Sequence, residues 1–233
     1  MNEVVESCTS TNDLARQAAE KGAPHGTWIS AREQTAGRGR HGRSWLSEKG
    51  GLYLSVVLIP PSGFSNLQWI PLAVAVGAAR ALQDLRIQIK WPNDLWISGR
   101  KLGGILCEGS SGAKRWVVAG IGINCENSPT ADLVSRPAEK LNCSPDSIRE
   151  KVRDGILDQV NELFQTGPGS TQSAFERLSV IRPGQSITWI EPKSQHQTSG
   201  TWVRLLETAE LEVQTSGKTL RLSNEEIISV RAN

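Results

Sequence analysis

Apolar residues recur along this chain at two periods, and the change from one to the other divides it. Leu14, Ala15, Ala18 and Ala19 fall at helical spacing behind the polar string Ser10-Thr11-Asn12-Asp13, with Gly22 as a C-terminal stop. Asp13 stands three residues after Ser10, in capping-box register, so the spacing predicts a capped helix here. Trp28–Ala31 predicts a short strand, and Leu52–Ile59, closed by Pro60-Pro61, a buried one. Pro71 opens a second helix in its first turn, where its missing N–H costs nothing, and Leu72, Ala75, Val76, Ala79 and Leu82 line one face. Ile87–Lys90 predicts a strand leading into the turn Trp91-Pro92-Asn93-Asp94. Leu95–Ser98 and Leu102–Glu108 predict a hairpin around Gly99-Arg100. Trp116–Asn124 predicts a strand whose two glycines imply a close backbone approach.

Ser144-Pro145-Asp146 caps a third helix carrying Ile148, Val152, Ile156, Val160 and Leu163, and Thr171–Leu178 is a fourth. Beyond Ile181-Arg182-Pro183-Gly184 the period shortens. Ser186–Glu191, Thr201–Glu207, Glu210–Thr215, Thr219–Leu222 and Ile227–Arg231 read as short strands separated by turn residues, the texture of a small antiparallel barrel. Residues 1–180 are therefore expected to form one domain and 181–233 a second.

Composition narrows the class. The 233 residues carry 26 Lys+Arg against 24 Asp+Glu, a net charge of +2, which argues against a generally basic nucleic-acid coat or an acidic tail. No apolar run approaches the roughly 18 residues of a membrane helix. The start, Met1 to Glu6, has neither the basic nor the apolar part of a secretion signal. Cys8, Cys107, Cys125 and Cys143 form no C-x-x-C pair and the three histidines are scattered, so free cytoplasmic thiols are expected and no zinc site. Eight tryptophans against one tyrosine and three phenylalanines are an excess. Trp45 and Trp91 lie inside motifs, where an indole can stack on a base or exclude water; the other six are expected in the core.

The cations are unevenly placed. Gly37-Arg38-Gly39-Arg40-His41-Gly42-Arg43-Ser44-Trp45 combines glycines, which let backbone amides approach a ligand, with arginines, which offer planar donors to phosphate or carboxylate. Such a loop is an anion cradle, costly to order while empty. By itself it fits equally an RNA-binding RG segment or a solvated turn. Lys90-Trp91-Pro92-Asn93-Asp94 and Gly99-Arg100-Lys101-Leu102-Gly103-Gly104 add cations beside a carboxylate. Gly120-Ile121-Gly122-Ile123-Asn124 is compatible with a plain core strand, and Ser10-Thr11-Asn12 with capping alone.

In this order, Ser10-Thr11-Asn12, Gln34, GRGRxGRxW, KWPND, GRKLGGIL and GxGxN resemble the biotin protein ligases from Ser10 to Asn124. The resemblance implies an α+β fold, a mixed central sheet flanked by helices as in class II synthetases, followed by a small SH3-like barrel. It implies formation of biotinyl-5′-AMP from biotin and ATP, with Mg²⁺ on the phosphates, and transfer to a lysine of the biotin carboxyl carrier protein of acetyl-CoA carboxylase. By the same resemblance Ser10, Thr11, Asn12 and Gln34 hold the biotin head group, and Arg38, Gly39 and Arg40 fold over its tail and the phosphate. Lys101 meets the carboxylate or the developing adenylate oxygen. Gly103, Gly104, Gly120 and Gly122 leave room for the biotin rings. Arg43, Trp45, Lys90, Asn93, Asn124 and Arg231 join Arg40 and Lys101 around the nucleotide, and Asp94 assists the acceptor lysine. No protein metal ligand is implied. Because the pocket motif begins at Ser10, no operator-binding domain is expected before it, and so neither DNA nor a membrane is an expected partner. Dimerisation is left open. The competing readings are a lipoate or octanoate transferase on the same scaffold and a nucleic-acid-binding module using the RG loop.

Overall fold

A computed structural model describes residues 2–110, 115–127, 138–191, 196–223 and 225–231. Seven strands form the main sheet: β1 (Asn2–Cys8), β2 (Trp28–Gln34), β3 (Gly51–Leu58), β4 (Gln88–Lys90), β5 (Asp94–Ile97), β6 (Arg100–Gly109) and β7 (Val117–Asn124). Their order is β1-β2-β3-β7-β6-β5-β4, and only the β1–β2 pair is parallel, so the sheet is mixed. Helices α1 (Thr11–Glu20), α2 (Ile70–Ala81), α3 (Pro145–Thr166) and α4 (Gly169–Leu178) flank it.

β3 lies inside the sheet, between β2 and β7, and is buried along its whole length, which is why its sequence reads as one apolar run rather than an alternation. Leu52, Leu54, Val56 and Leu58 enter the main core with α2, while Val57 turns to the opposite face and meets Ala15 and Ala19 of α1. α2 departs from its predicted single apolar face. It is buried almost all round, because the sheet covers one side and α3 the other. A Cβ at Gly77 would collide with the backbone carbonyl of Gly155 on α3, so both glycines are required for this close helix contact.

Several local signals resolve differently from expectation. The capping box does not form: Ser10 is extended (φ −158°) but its hydroxyl makes no cap bond, and Asp13 pairs with Arg16 and Arg38 instead. Gly22 does end the helix, at φ +88°, with its amide on Ala19 O at 2.9 Å. The β5–β6 turn sits at Ser98-Gly99, both at positive φ (50° and 75°), one residue earlier than Gly99-Arg100. β1 was not predicted, because its glutamates mask the alternation of a polar edge strand.

The C-terminal strands β8 (Ser186–Ile190), β9 (Gln197–Leu205), β10 (Leu211–Gln214), β11 (Thr219–Leu222) and β12 (Glu226–Arg231) form an antiparallel sheet in the order β11-β10-β9-β8-β12. Its apolar face, with Ile187, Trp189, Trp202 and Val213, is continuous with the main core. Two indoles fasten the junction: Trp69 Nε1 donates to Glu207 O at 2.6 Å and Trp91 Nε1 to Ala209 O at 3.1 Å.

Candidate active site

A cleft of about 550 Å³ opens where the start of α1, the loop 36–45 and the strands β4 to β7 converge. Every predicted site residue from Ser10 to Asn124 lines it except Gly103. Arg231 ends β12, opposite Ser186, and its side chain lies outside the described part.

One end of the cleft is a network of neutral polar groups. Gln34 Oε1 accepts from the Thr11 amide at 2.8 Å and from its hydroxyl at 3.1 Å, while Gln34 Nε2 donates to Ser47 Oγ at 2.8 Å. Asn12 donates through Nδ2 to Leu106 O at 3.3 Å and to Glu108 Oε2 at 2.6 Å, and Ser55 Oγ lies 2.7 Å from both Asn12 Oδ1 and Thr11 Oγ1. Ser55 and Ser47 were missed from the sequence. A serine inside the apolar run Leu52–Leu58 was the available signal, since a buried hydroxyl needs a partner.

The glycines act at one remove. A Cβ on Gly120 would collide with the Asn12 amide, one on Gly122 would stand 2.5 Å from Trp45 Nε1, and one on Gly103 would stand 2.5 Å from Gly122 O. They make room for Asn12, Trp45 and the neighbouring strand rather than directly for a ligand. Gly104 differs: a Cβ there would meet Asp94, Trp45 and Lys101 at ordinary contact, 3.6–3.8 Å.

The other end is charged. Lys101 Nζ is 2.6 Å from Asp94 Oδ1 and 5.5 Å above the Trp45 ring. Arg40 Nη1 donates to Asn93 Oδ1 at 3.0 Å, and Asn93 Nδ2 to Ile105 O at 2.6 Å. Lys90 is buried with its ammonium 4.5 Å over Trp96, a ring that stands behind the cleft lining. Trp91 lines the cleft, and its buried indole also bonds Ala209 at the junction. Asn124 donates to Glu139 O at 3.1 Å.

The RG segment folds as a short hairpin, with Gly39 N on Arg43 O at 2.7 Å and Trp45 N on Gly37 O at 2.8 Å. It is held to α1 by Arg38, which grips Asp13 through both terminal nitrogens at 2.8 and 2.9 Å and reaches Glu108 at 3.3 Å. The hydrogen bond from Arg38 holds the Asp13 carboxyl below the usual carboxylate range, and Asp13 in turn raises the guanidinium. Burial, with Glu108 beside it, pushes the Cys107 thiol up to about 12, so it is an inert thiol at neutral pH.

Arg40, Arg43, Lys90 and Lys101 thus border a cleft whose other end offers uncharged donors and acceptors, with Arg38, paired to Asp13 and Glu108, beside that polar end. That arrangement suits a ligand with a polar, uncharged head and an anionic tail, and can hold two anions close enough to react. Among the described residues no group of three or more His, Cys, Asp or Glu side chains could hold a metal ion, and no helix is long and apolar enough to cross a membrane.

The family model described as the biotin/lipoate A/B protein ligase family matches residues 4–124. The chain is 38% identical over 164 residues to the bifunctional ligase/repressor BirA of Bacillus subtilis, covering 67% of this chain and 50% of that protein. It is 38% identical over 132 residues to the biotin–[acetyl-CoA-carboxylase] ligase of Paracoccus denitrificans, covering 54% and 55%. It thus spans about half the length of the curated relatives it matches. Among solved structures, a biotin protein ligase from Aquifex aeolicus in complex with biotin and ATP superposes with a TM-score of 0.80 at 25% identity, covering 99% of this chain and 98% of that one.

Proposed function

Because this chain belongs to the biotin/lipoate A/B protein ligase family, we propose that it is an ATP-dependent biotin ligase which makes biotinyl-5′-AMP and passes the biotinyl group to a lysine of a biotin carboxyl carrier domain. The observation that supports this reading is the polarity of the cleft, uncharged at Thr11, Asn12 and Gln34 and cationic at Arg40, Lys90 and Lys101. In the first step a biotin carboxylate oxygen attacks the α-phosphorus of ATP and pyrophosphate leaves. Lys101 lies between the carboxylate and the phosphate and offsets their repulsion, while Arg38 and Arg40 close over the tail. Ser10, Thr11, Asn12 and Gln34 hold the head group, Gly120 leaves Asn12 the room to do so, Gly104 lies along the bound biotin, and Gly39 folds over its tail. Arg43, Trp45, Lys90, Asn93, Asn124 and Arg231 surround the nucleotide.

In the second step the acceptor lysine amine attacks the acyl carbon, AMP leaves, and Asp94 takes the amine proton. Asp94 is paired with Lys101 at 2.6 Å, so one ion pair contributes a group to each step. Mg²⁺ would ride on the phosphate oxygens, since the nearest carboxylate is already engaged by Lys101; bound there it offsets phosphate charge. Residues 1–180 carry the chemistry and residues 181–233 form the second domain, whose Ile227 borders the cleft. The four free cysteines fit a cytoplasmic setting.

Thermal shift with biotin and with lipoate, each with and without ATP, separates the two chemistries of the family. Biotin is expected to raise Tm, and more so with ATP. A shift given by lipoate and not by biotin overturns the reading.

A further inference from the structure

The carboxylate of Glu108, on β6, faces two parts of the cleft at once. Its Oε2 accepts from Asn12 Nδ2 at 2.6 Å and from Arg38 Nη2 at 3.3 Å. Arg38 belongs to the RG loop, and Asn12 to the first turn of α1, next to the Asp13 that Arg38 also grips. Glu108 Oε2, the shorter of the two β6 acceptors that Asn12 Nδ2 meets (Leu106 O is the other, at 3.3 Å), helps fix which way the Asn12 amide points: the NH₂ toward β6 and the oxygen toward Ser55 Oγ at 2.7 Å. The same charge supplies the second half of the acidic grip on Arg38. Glu108 is not a pocket-lining residue, so its effect must pass through these two partners.

We propose that Glu108 is a positioning residue that couples closure of the RG loop to the head-group pocket, orienting Asn12 with one contact and holding Arg38 with the other. The coupling rests on the reading of this cleft as a biotin site. It gives a carboxylate outside the cleft control over how tightly the loop closes and how well the ring end is read.

Two readouts separate the arms. Arg38, Arg40 and Arg43 make the loop a natural trypsin target, so its cleavage in the ligand-free protein measures the grip on Arg38 without any assumption about activity. Glu108→Gln loses the charge but keeps an acceptor for Asn12. It should speed cleavage between residues 38 and 43 about threefold and raise the biotin KM only about twofold, through the loosened loop alone. Asp13→Asn should behave the same way, with about fivefold faster cleavage because a bidentate pair is lost. Glu108→Ala loses both contacts; it should speed cleavage and also raise the biotin KM about tenfold, with kcat for adenylation little changed. Equal melting temperatures for the Gln variant and the wild type exclude general unfolding as the cause. Unchanged cleavage in Glu108→Gln and Asp13→Asn overturns the grip, and an unchanged biotin KM in Glu108→Ala overturns the coupling. If the wild type forms no biotinyl-AMP, the ligase reading fails and the coupling with it, while the cleavage result still decides the grip.

Discussion

Lys101 stands between a carboxylate 2.6 Å away and an indole 5.5 Å below it, an arrangement that fixes an ammonium without removing it from the cleft. Replacing it with alanine leaves two anions facing each other with no cation between them. Lys101→Ala is therefore expected to lower the adenylation rate at least about 100-fold while leaving the fold intact, checked by single-turnover release of pyrophosphate. Asp13 makes a second prediction at this scale. Its folded-state value is lowered, so its ionised form stabilises the fold; that contribution is present above the ordinary aspartate value of 3.8 and is lost as pH falls through the lowered one. Between about pH 5 and pH 3 the wild type should lose more thermal stability than Asp13→Asn, which cannot titrate there. Equal losses would contradict the Arg38 pairing. The motif residues were legible because each carries its chemistry locally. What was not legible was the far side of each contact. Gly120 announces that something needs space, and only the fold shows that this is Asn12, brought across from α1. Trp91 lines the cleft as its motif suggested, but its bond to Ala209 and the contact of Trp96 with Lys90 depend on strand pairing, which the motif does not carry.

Among elements, the pair α2 and α3 is the tightest contact in the main core. Gly77 and Gly155 approach so closely that a methyl on either would meet backbone, which cannot move aside as a side chain can. Gly77→Ala should cost about 2 kcal/mol net, even after the gain in helix propensity, and lower Tm by about 4–8 °C in a scan of the two proteins. Helix and strand periods revealed most elements here. They failed at β1, where Glu3 and Glu6 around Val4-Val5 mask the alternation of an edge strand. They also misjudged α2, where small residues on the second face (Ala73, Gly77) were buried without being bulky enough to read as core. The capping box failed for an electrostatic reason: Arg38 offers Asp13 a charge-assisted fork that a backbone amide cannot match.

At the scale of the molecule, the sequence boundary near residue 180 marks a change of secondary structure without a break in the core. Trp69 and Trp91 reach from the first part to carbonyls of Glu207 and Ala209 in the second, and the apolar cluster runs through both. Unfolding should therefore be one cooperative transition. Trp91→Phe, which removes a buried hydrogen bond and part of an indole, should lower its midpoint by about 4–8 °C without splitting it. Two separate calorimetric peaks would show independent parts. The net charge of +2 also reads differently on this scale. It is an average over a molecule that gathers cations at one cleft and holds two of them with acids, Asp13 and Glu108 on Arg38 and Asp94 on Lys101. If these cations join a biotin carboxylate to a nucleotide phosphate, as proposed, the chain makes the adenylate unaided. Incubation of the purified chain with biotin, ATP and Mg²⁺, followed by mass spectrometry of the bound small molecule, decides this. Biotinyl-5′-AMP is expected, and adding a carrier domain should consume it, releasing AMP and leaving one biotinylated lysine on the carrier. A folded protein that yields no adenylate under these conditions would contradict the proposal.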